Sequence, residues 1–241
     1  MLRAVFFFLC SDTIQSYTAS TPHGSYRGLE NGKIPVGYFG LPWYRKFTLT
    51  WLQIILTYQL LSLYYELCAI ISVVFGLSTP RECPPMFGDL RNMYTLRQSW
   101  SMVWHQQCRR ICSTFSILLA RDALRLRKGG FASKYFQLFV GFFVSAIVHG
   151  VGVMLTHKSL DDDAAFVCFM AQAVGIMAED HIIQFGKSIG LRNSPFWRLV
   201  GYIWVVSWFG FSLLPHISAS LDSGMWIHNK EVDLFGLGPK H

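Results

Sequence analysis

A stripe of polar and small residues ends in a histidine within an otherwise apolar stretch. Gln137, Gly141, Ser145 and His149 follow one another at four-residue spacing, which puts them on one face of an α-helix. Ionisable residues inside a hydrophobic span tend to mark substrate or proton paths, and neutral imidazole is well suited to accept a proton near neutral pH. The stripe therefore indicates either a general base at His149 or a neutral histidine that only packs two helices, and by itself it favours neither.

A second candidate site lies in the basic sequence CPPMFGDLRNMYTLRQSWSMVWHQQCRR, residues 83–110. Trp100 and Trp104 fall on one face of a predicted helix, and a row of arginines and a histidine falls on another. Tryptophans above a row of cations suit the membrane interface. The pattern predicts an amphipathic interfacial helix. It is either a lipid-surface anchor or a site for a phosphate-bearing ligand at the cytosolic face, with Arg109 and Arg110 as charge partners.

Two further polar clusters lie near the ends of apolar stretches. Glu179 and His181, in the sequence AEDHIIQF, are secondary candidates for lining a substrate tunnel, although charges near a span end also reach interfacial water. The sequence HKSLDD, residues 157–162, fits spacings used by two unrelated acyltransferase families. Such short matches arise by chance, so we expect a solvated acidic loop there. The cysteines show neither a C-x-x-C pair nor a zinc-like Cys/His spacing, and we expect no metal.

The elements that must position these residues follow from composition. Hydrophobic residues make up 52% of the 241 residues and charged residues only 15%, which excludes an ordinary soluble domain. A helix needs about 20 apolar residues to cross a membrane. Four segments approach that length, so we predict an all-α polytopic membrane protein. The first segment is long and carries Glu66, which leaves a tilted, a kinked and a two-part element open. The four segments are residues 48–77, 135–155, 164–185 and 197–217.

The formal net charge of +7 has a topological explanation. Ten basic residues lie between Arg81 and Lys134 against three acidic ones, and such loops stay on the cytosolic side of a membrane. We therefore expect the lipid bilayer as a partner and no nucleic acid. The apolar run near the N-terminus is too short to span. The predicted organisation is a polar or interfacial segment at 1–46, a membrane domain at 47–219 and a tail at 220–241.

Both candidate sites resemble parts of the membrane-bound O-acyltransferase superfamily. Its sterol and diacylglycerol acyltransferase branch has a cytosolic F-Y-x-D-W-W-N motif and then a helix with S-A-x-x-H, whose histidine is catalytic. SWSMVWH occupies the first place here, and SAIVH, Ser145 to His149, matches the second. The wax-synthase-like branch of fungal secondary-metabolite pathways is more similar, because its P-P-x-F-G stretch and W-H-Q core match Pro84 to Gly88 and Trp104 to Gln106. The resemblance covers roughly residues 42–214.

The resemblance implies a multi-pass enzyme of the endoplasmic reticulum membrane that transfers an acyl group from acyl-coenzyme A. The implied donor is acetyl-coenzyme A, which acts as a co-substrate and not as a bound cofactor. The implied acceptor is a hydroxyl of a hydrophobic terpenoid or meroterpenoid. His149 would be the general base, and His105 would orient the donor or stabilise the oxyanion. The coenzyme A site would be formed by Trp100, Trp104, Gln106, Arg109 and Arg110.

Two alternatives remain open at this stage. One is a long-chain wax or sterol ester synthase, which would use the same residues on a longer acyl donor. The other is a non-catalytic lipid-binding or transporter-like membrane protein, in which the polar stripe only packs helices. His105 stands where other branches of the superfamily place Asn, and Gly150 stands where sterol acyltransferases often have Glu. These departures favour the wax-synthase-like branch.

Overall fold

The computed structural model describes residues 2–19, 41–104, 106–158, 160–162 and 164–217, and at 17–19, 107–111 and 157 it describes the backbone only. Within these ranges the regular secondary structure is helical and contains no strand, which confirms the predicted all-α class. The chain divides into two compact units. One comprises residues 1–86 with 217–241, and the other comprises residues 87–216.

The first unit contains a helical pair. Helix α1, Leu2–Ala19, packs along helix α2, Trp43–Val74. An ion pair of 3.2 Å joins the Arg3 guanidinium to the Glu66 carboxylate, and the rings of Phe7 and Tyr58 meet edge to face at 6.1 Å. Helix α2 is continuous over 32 residues. At about 1.5 Å per residue it is longer than a hydrocarbon core of about 30 Å, so it must tilt or extend beyond the bilayer.

Helix α1 begins in the apolar run near the N-terminus and continues to residue 19, within the polar or interfacial segment predicted at 1–46. Its hydroxyl side chains bond back to their own helix. The Ser11 hydroxyl donates to the Phe7 carbonyl and the Thr13 hydroxyl donates to the Leu9 carbonyl, both at 2.8 Å. A polar side chain that finds an acceptor one turn earlier can stay in a helix. The polar composition of residues 11–19 is therefore compatible with a helix.

The second unit contains four longer helices, and it holds both candidate sites. Helix α4 packs against α3 and α5, and α5 packs against α6. A loop with short helical turns leads into α3, and five residues of π-helix extend α3 at its end. The four helices are α3, Gln106–Leu118; α4, Phe131–His157; α5, Ala165–Ser188; and α6, Pro195–Ser212.

Three helices of the described residues are long and apolar enough to cross a membrane, namely α2, most of α4 and α5. The predicted spans at 135–155 and 164–185 are confirmed as helices with nearby bounds. The fourth predicted span corresponds to α6, which has 18 residues and is not among the three. It contains three tryptophans and Arg198. A new helical turn begins at Leu214, just after α6 ends.

The predicted amphipathic helix through Trp100 and Trp104 is corrected in one respect, because it is not continuous. A single α-turn, Leu96–Gln98, passes into π-helix, and Trp104 is extended with ψ 141°. The Val103 carbonyl accepts a 2.9 Å bond from the Gly88 N–H. A side chain at Gly88 would collide with the backbone of the π-helical turn, so only glycine permits this approach. The loop thus occupies the Val103 carbonyl, which would accept an intrahelical hydrogen bond if the helix continued.

Candidate active site

Trp100 is the centre of an aromatic cluster in the second unit. It belongs to the tryptophan segment, a name used here for residues 87–104. Its ring meets Phe142 of α4 at 5.4 Å, Phe209 of α6 at 5.7 Å and Phe169 of α5 at 6.3 Å between centroids. Trp104 lies 6.2 Å from Trp100. One indole therefore contacts three helices, and this fixes the tryptophan segment against the helical core.

His149 lies on the other candidate motif and contacts the same phenyl ring. Its imidazole stacks on Phe169 with 4.4 Å between centroids and 19° between planes. A second imidazole, that of His216, meets His149 edge to face at 6.4 Å. His149 is also exposed in this structure. The Phe169 ring thus contacts both His149, the predicted base, and Trp100 of the predicted donor site.

The stripe on α4 faces different neighbours along its length. The Ser145 hydroxyl donates to the Gly141 carbonyl at 3.2 Å and lies 3.5 Å from the Cys112 sulfur on α3. The Gln137 amide donates to Ser133 on its own helix at 2.8 Å. A Cβ added at Gly141 would meet no described atom within 4 Å. Among the described residues, no neighbouring element therefore packs closely against α4 at Gly141.

The acidic loop after α4 packs beside His149. A Cβ at Gly150 would lie only 3.3 Å from the Cβ of Asp162, so a larger residue at 150 would press on the loop. The Asp162 carboxylate accepts from the Ala164 N–H at 3.1 Å and the Phe166 N–H at 2.9 Å. It satisfies donors at the start of α5 that would otherwise be unpaired. The expected solvated loop therefore also caps the helix that carries Phe169.

Glu179 of α5 holds the start of the tryptophan segment's helical turn. Its side chain is buried, and its carboxylate accepts from the N–H groups of Leu96 at 2.7 Å and Arg97 at 3.2 Å. The indole N–H of Trp204 on α6 donates to it at 3.0 Å. A carboxylate facing free N–H groups at a helical N-terminus is favourable. These contacts give Glu179 a structural role, while its place in a substrate tunnel stays a prediction.

Asp180 forms a charged cluster next to Glu179. The Arg97 guanidinium binds it through two nitrogens, at 3.0 and 2.5 Å, and the Lys134 ammonium lies 2.6 Å away. The Tyr135 hydroxyl donates to the same carboxylate at 3.2 Å. One side chain of α5 therefore joins the tryptophan segment to the beginning of α4. The Arg97 side chain is thus engaged in an ion pair with Asp180.

Helix α6 holds the tryptophan segment from another side. The Tyr202 hydroxyl donates to the Arg91 carbonyl at 2.6 Å, and the Arg198 guanidinium lies 5.5 Å from the Tyr94 ring centroid. A Cβ at Gly201 would collide with the Tyr94 carbonyl, so glycine is needed for this close contact. The segment is thus fixed by side chains from α5 and α6 far from it in sequence.

The remaining predicted site residues have different positions. His181 stacks on Tyr135 at 5.5 Å and bonds through Nδ1 to the Met177 carbonyl at 2.7 Å. Tyr135 lies 14 positions before His149, about 21 Å along α4. The structure therefore does not bring His181 to the predicted base. No group of three metal-ligating side chains occurs among the described residues.

The residues predicted for the donor site are only partly described. Gln106 opens α3, and its amide donates to the Trp104 carbonyl at 2.8 Å. Arg109 and Arg110 lie on α3, but only their backbone is described, and His105 lies outside the described residues. The predicted contact of the two arginines with coenzyme A phosphates therefore stays a prediction.

Sequence reasoning missed Phe169, His216 and Gln172. Phe169 gave no signal, because one phenylalanine in an apolar span is ordinary. His216 gave a signal, because it is an ionisable residue inside the predicted span 197–217. Ionisable residues inside spans tend to mark functional sites, and His149 was selected on the same ground. Gln172 is fully buried, with its amide 3.0 Å from the Ser212 hydroxyl, and it accepts from the Trp208 indole at 2.9 Å. A polar side chain inside a span was the available signal.

Comparison with known proteins supports the resemblance. Residues 83–171 match the model of the membrane bound O-acyl transferase family. This range includes the whole tryptophan segment as well as His149 and Phe169. The predicted resemblance to membrane-bound O-acyltransferases is therefore confirmed.

The chain is also similar to fungal proteins named as acetyltransferases. Acetyltransferase sirH of Leptosphaeria maculans is 44% identical over 232 residues, which cover 96% of this chain and 57% of that protein. Acetyltransferase ple2 of Rhodocybe pseudopiperita is 30% identical over 70% of this chain and 45% of its own length. Acetyltransferase eriL of Hericium erinaceus is 30% identical over 89% and 54%. The chain spans about half the length of these relatives. No solved structure matches it.

Proposed function

We propose that this chain acts as an acyl-coenzyme A-dependent O-acyltransferase in a membrane, with acetyl-coenzyme A as the donor. The acceptor we propose is a hydroxyl of a hydrophobic secondary metabolite of the terpenoid or meroterpenoid class. The observation that carries the proposal is the Phe169 ring, which contacts both His149 and Trp100. The names of the similar acetyltransferases support the acetyl donor.

The proposed reaction needs one base and one leaving group. His149 accepts the proton of the acceptor hydroxyl as its oxygen attacks the thioester carbonyl carbon. The tetrahedral intermediate then collapses, the carbon–sulfur bond breaks, and the coenzyme A thiolate takes the proton from the imidazolium. A positioned general base contributes about 10²- to 10⁴-fold in rate. Stacking on Phe169 supports this role, because it limits the orientation of the imidazole.

The donor site in this proposal is built on the tryptophan segment. Trp100 and Trp104 form the wall for the acyl group, and Gln106 continues it at the start of α3. Arg109 and Arg110 are proposed to bind coenzyme A phosphates, and His105 to orient the thioester or stabilise the oxyanion. The hydrogen bonds from the segment to Glu179 support a fixed wall.

The bilayer is the proposed route for the acceptor. The apolar helices α2, α4 and α5 support a membrane protein, and a hydrophobic alcohol concentrates in the same phase. We propose the endoplasmic reticulum as the membrane. The basic stretch between α3 and α4 would then lie on the cytosolic side, where acyl-coenzyme A is present.

The test is transfer of labelled acetyl from acetyl-coenzyme A in membranes that contain the full 241-residue chain. A panel of terpenoid alcohols beginning with farnesol serves as acceptors. We expect a labelled ester from the wild-type chain and a loss of at least about 100-fold in His149→Ala. Ser188→Ala, at an exposed position at the end of α5, is the control and should retain transfer.

Two outcomes contradict the proposal. One is the absence of transfer to any alcohol of the panel, with either acetyl- or palmitoyl-coenzyme A as the donor. The other is full transfer by the His149→Ala variant. Preference for palmitoyl-coenzyme A would instead support a long-chain ester synthase built on the same base.

A further inference from the structure

His216 lies in the same ring cluster as His149, although it is 67 positions away in sequence. Its imidazole is 6.4 Å from that of His149, with 83° between the planes, and 6.2 Å from the ring of Phe169. The two histidines and the phenyl ring therefore form a three-ring cluster. It joins α4, α5 and the turn after α6.

The backbone fixes the position of His216. Helix α6 ends at Ser212, and the chain resumes a helical turn at Leu214. The backbone of His216 lies beside the sulfur of Cys168 on α5. Cys168 is almost completely buried, with 1% of its surface exposed, and it directly precedes Phe169. The turn after α6 is therefore attached to the α5 residue next to the ring on which His149 stacks.

We infer that His216 binds the hydroxyl of the acceptor and holds it against His149. This inference rests on the proposed function. A neutral imidazole carries one N–H donor and one nitrogen acceptor. In the inferred arrangement His216 donates its N–H to the hydroxyl oxygen, and the hydroxyl donates its proton to His149. The oxygen keeps a lone pair for the acyl carbon.

The separation of the two rings suits a single oxygen between them. Two hydrogen bonds of about 2.8 Å to one oxygen join nitrogens that are at most about 5.6 Å apart. Ring nitrogens lie off the ring centroids, so rings 6.4 Å apart can reach this distance. The His149 ring lies nearly parallel to the Phe169 ring, and the His216 ring lies nearly perpendicular to the His149 ring. The edges of the two imidazoles therefore point in different directions. One hydroxyl oxygen can then contact both rings.

The inferred step balances without a further reactant. The acceptor oxygen forms a bond to the acyl carbon while its proton passes to His149. The carbon–sulfur bond then breaks, and the same proton passes from His149 to the coenzyme A sulfur. His216 keeps its own proton throughout, because it only donates a hydrogen bond. It therefore orients the acceptor, and the base alone changes protonation state.

The polar edge of the His216 ring suits acceptor binding. An imidazole beside Phe169 carries a hydrogen-bond donor and an acceptor, which an apolar side chain of similar size lacks. Orientation is also valuable for a reaction between two bound molecules, since correct placement supplies a large part of the rate.

The test uses His216→Ala and His216→Gln in membranes containing the full chain. The probe is labelled acetyl-coenzyme A with farnesol, or with the alcohol of the panel that the wild-type chain acetylates fastest. Loss of one hydrogen bond corresponds to about 3- to 10-fold in binding. We expect His216→Ala to raise the KM for the alcohol by that factor and to leave the KM for acetyl-coenzyme A unchanged. His216→Gln should recover part of the loss, because its amide donates a hydrogen bond.

Two results would overturn the inference. One is a wild-type KM for the alcohol in His216→Ala. The other is an equal rise in both KM values together with a lower unfolding temperature and no recovery in His216→Gln, which would indicate a structural role. Both are distinguishable from failure of the proposed function, which would be seen as transfer by His149→Ala or no transfer by the wild-type chain. Ser188→Ala, at an exposed position at the end of α5, serves as the control.

Discussion

The imidazole of His149 lies flat on the phenyl ring of Phe169, with 4.4 Å between the ring centroids. The same phenyl ring contacts Trp100 on the tryptophan segment. Phe169 is therefore the physical link between two motifs that are about 45 positions apart in sequence. A stacked ring restricts the imidazole plane, which a flexible aliphatic side chain would do less well.

Substitution Phe169→Leu tests this link. Leucine retains most of the apolar volume but removes the flat surface under His149, so we expect acetyl transfer to fall about 10- to 100-fold. The free energy of unfolding should fall by only about 1–2 kcal/mol. Phe209→Leu is the matched control, because Phe209 also contacts Trp100. Steady-state transfer rates and thermal unfolding in detergent give the two measurements, and equal losses of transfer in both variants would contradict the prediction.

Substitution Glu179→Gln tests the attachment of the tryptophan segment to α5. The carboxylate accepts from Leu96, Arg97 and Trp204, and a glutamine would turn an NH₂ donor toward at least one of these donors. We expect a loss of about 1–3 kcal/mol in the free energy of unfolding, with a higher KM for acetyl-coenzyme A. Trp204→Phe removes one of the three donors and should cost less. A Glu179→Gln variant as stable as wild type would show that these bonds do not hold the segment.

Substitution Asp180→Asn tests the charged cluster next to Glu179. It leaves Arg97 and Lys134 near one another without the carboxylate, so we expect a loss of about 1–3 kcal/mol. The Lys134 side chain is 44% exposed, so salt should screen part of the interaction. Unfolding in low and high salt measures this, and the loss should shrink in high salt. Asp122→Asn, at an exposed position, is the control; an equal loss there would contradict the prediction.

Local sequence pattern predicted the main helices well. The apolar stretches at 135–155 and 164–185 correspond to α4 and α5, because a bilayer requires long runs whose backbone bonds are satisfied within one helix. The stripe that ends at His149 also predicted contact with protein near the end of α4. These features depend only on neighbouring residues, which a periodic pattern records.

The break at Trp104 could not be predicted from such a pattern. It depends on the bond between the Gly88 N–H and the Val103 carbonyl, which joins residues outside one helical period. The same limit applies to Glu179, whose bond to the Leu96 N–H crosses 83 positions. Sequence composition suggested a tunnel or interfacial water for this carboxylate. Two of its three observed donors are backbone N–H groups, which nearly every residue carries, so residue identity does not reveal them.

Two glycines on neighbouring helices give the final prediction, because the structure assigns them opposite surroundings. A Cβ at Gly175 would fall within the indole of Trp208, whereas a Cβ at Gly141 would meet no described atom within 4 Å. Gly175→Ala must therefore displace Trp208, whose N–H bonds to Gln172, and we expect a loss of about 1–3 kcal/mol. Gly141→Ala should leave stability unchanged or raise it by up to about 1 kcal/mol, since alanine favours helix. Thermal unfolding of both variants in the same detergent measures the difference. A Gly141→Ala variant as unstable as Gly175→Ala would show that a neighbouring element contacts α4 at position 141.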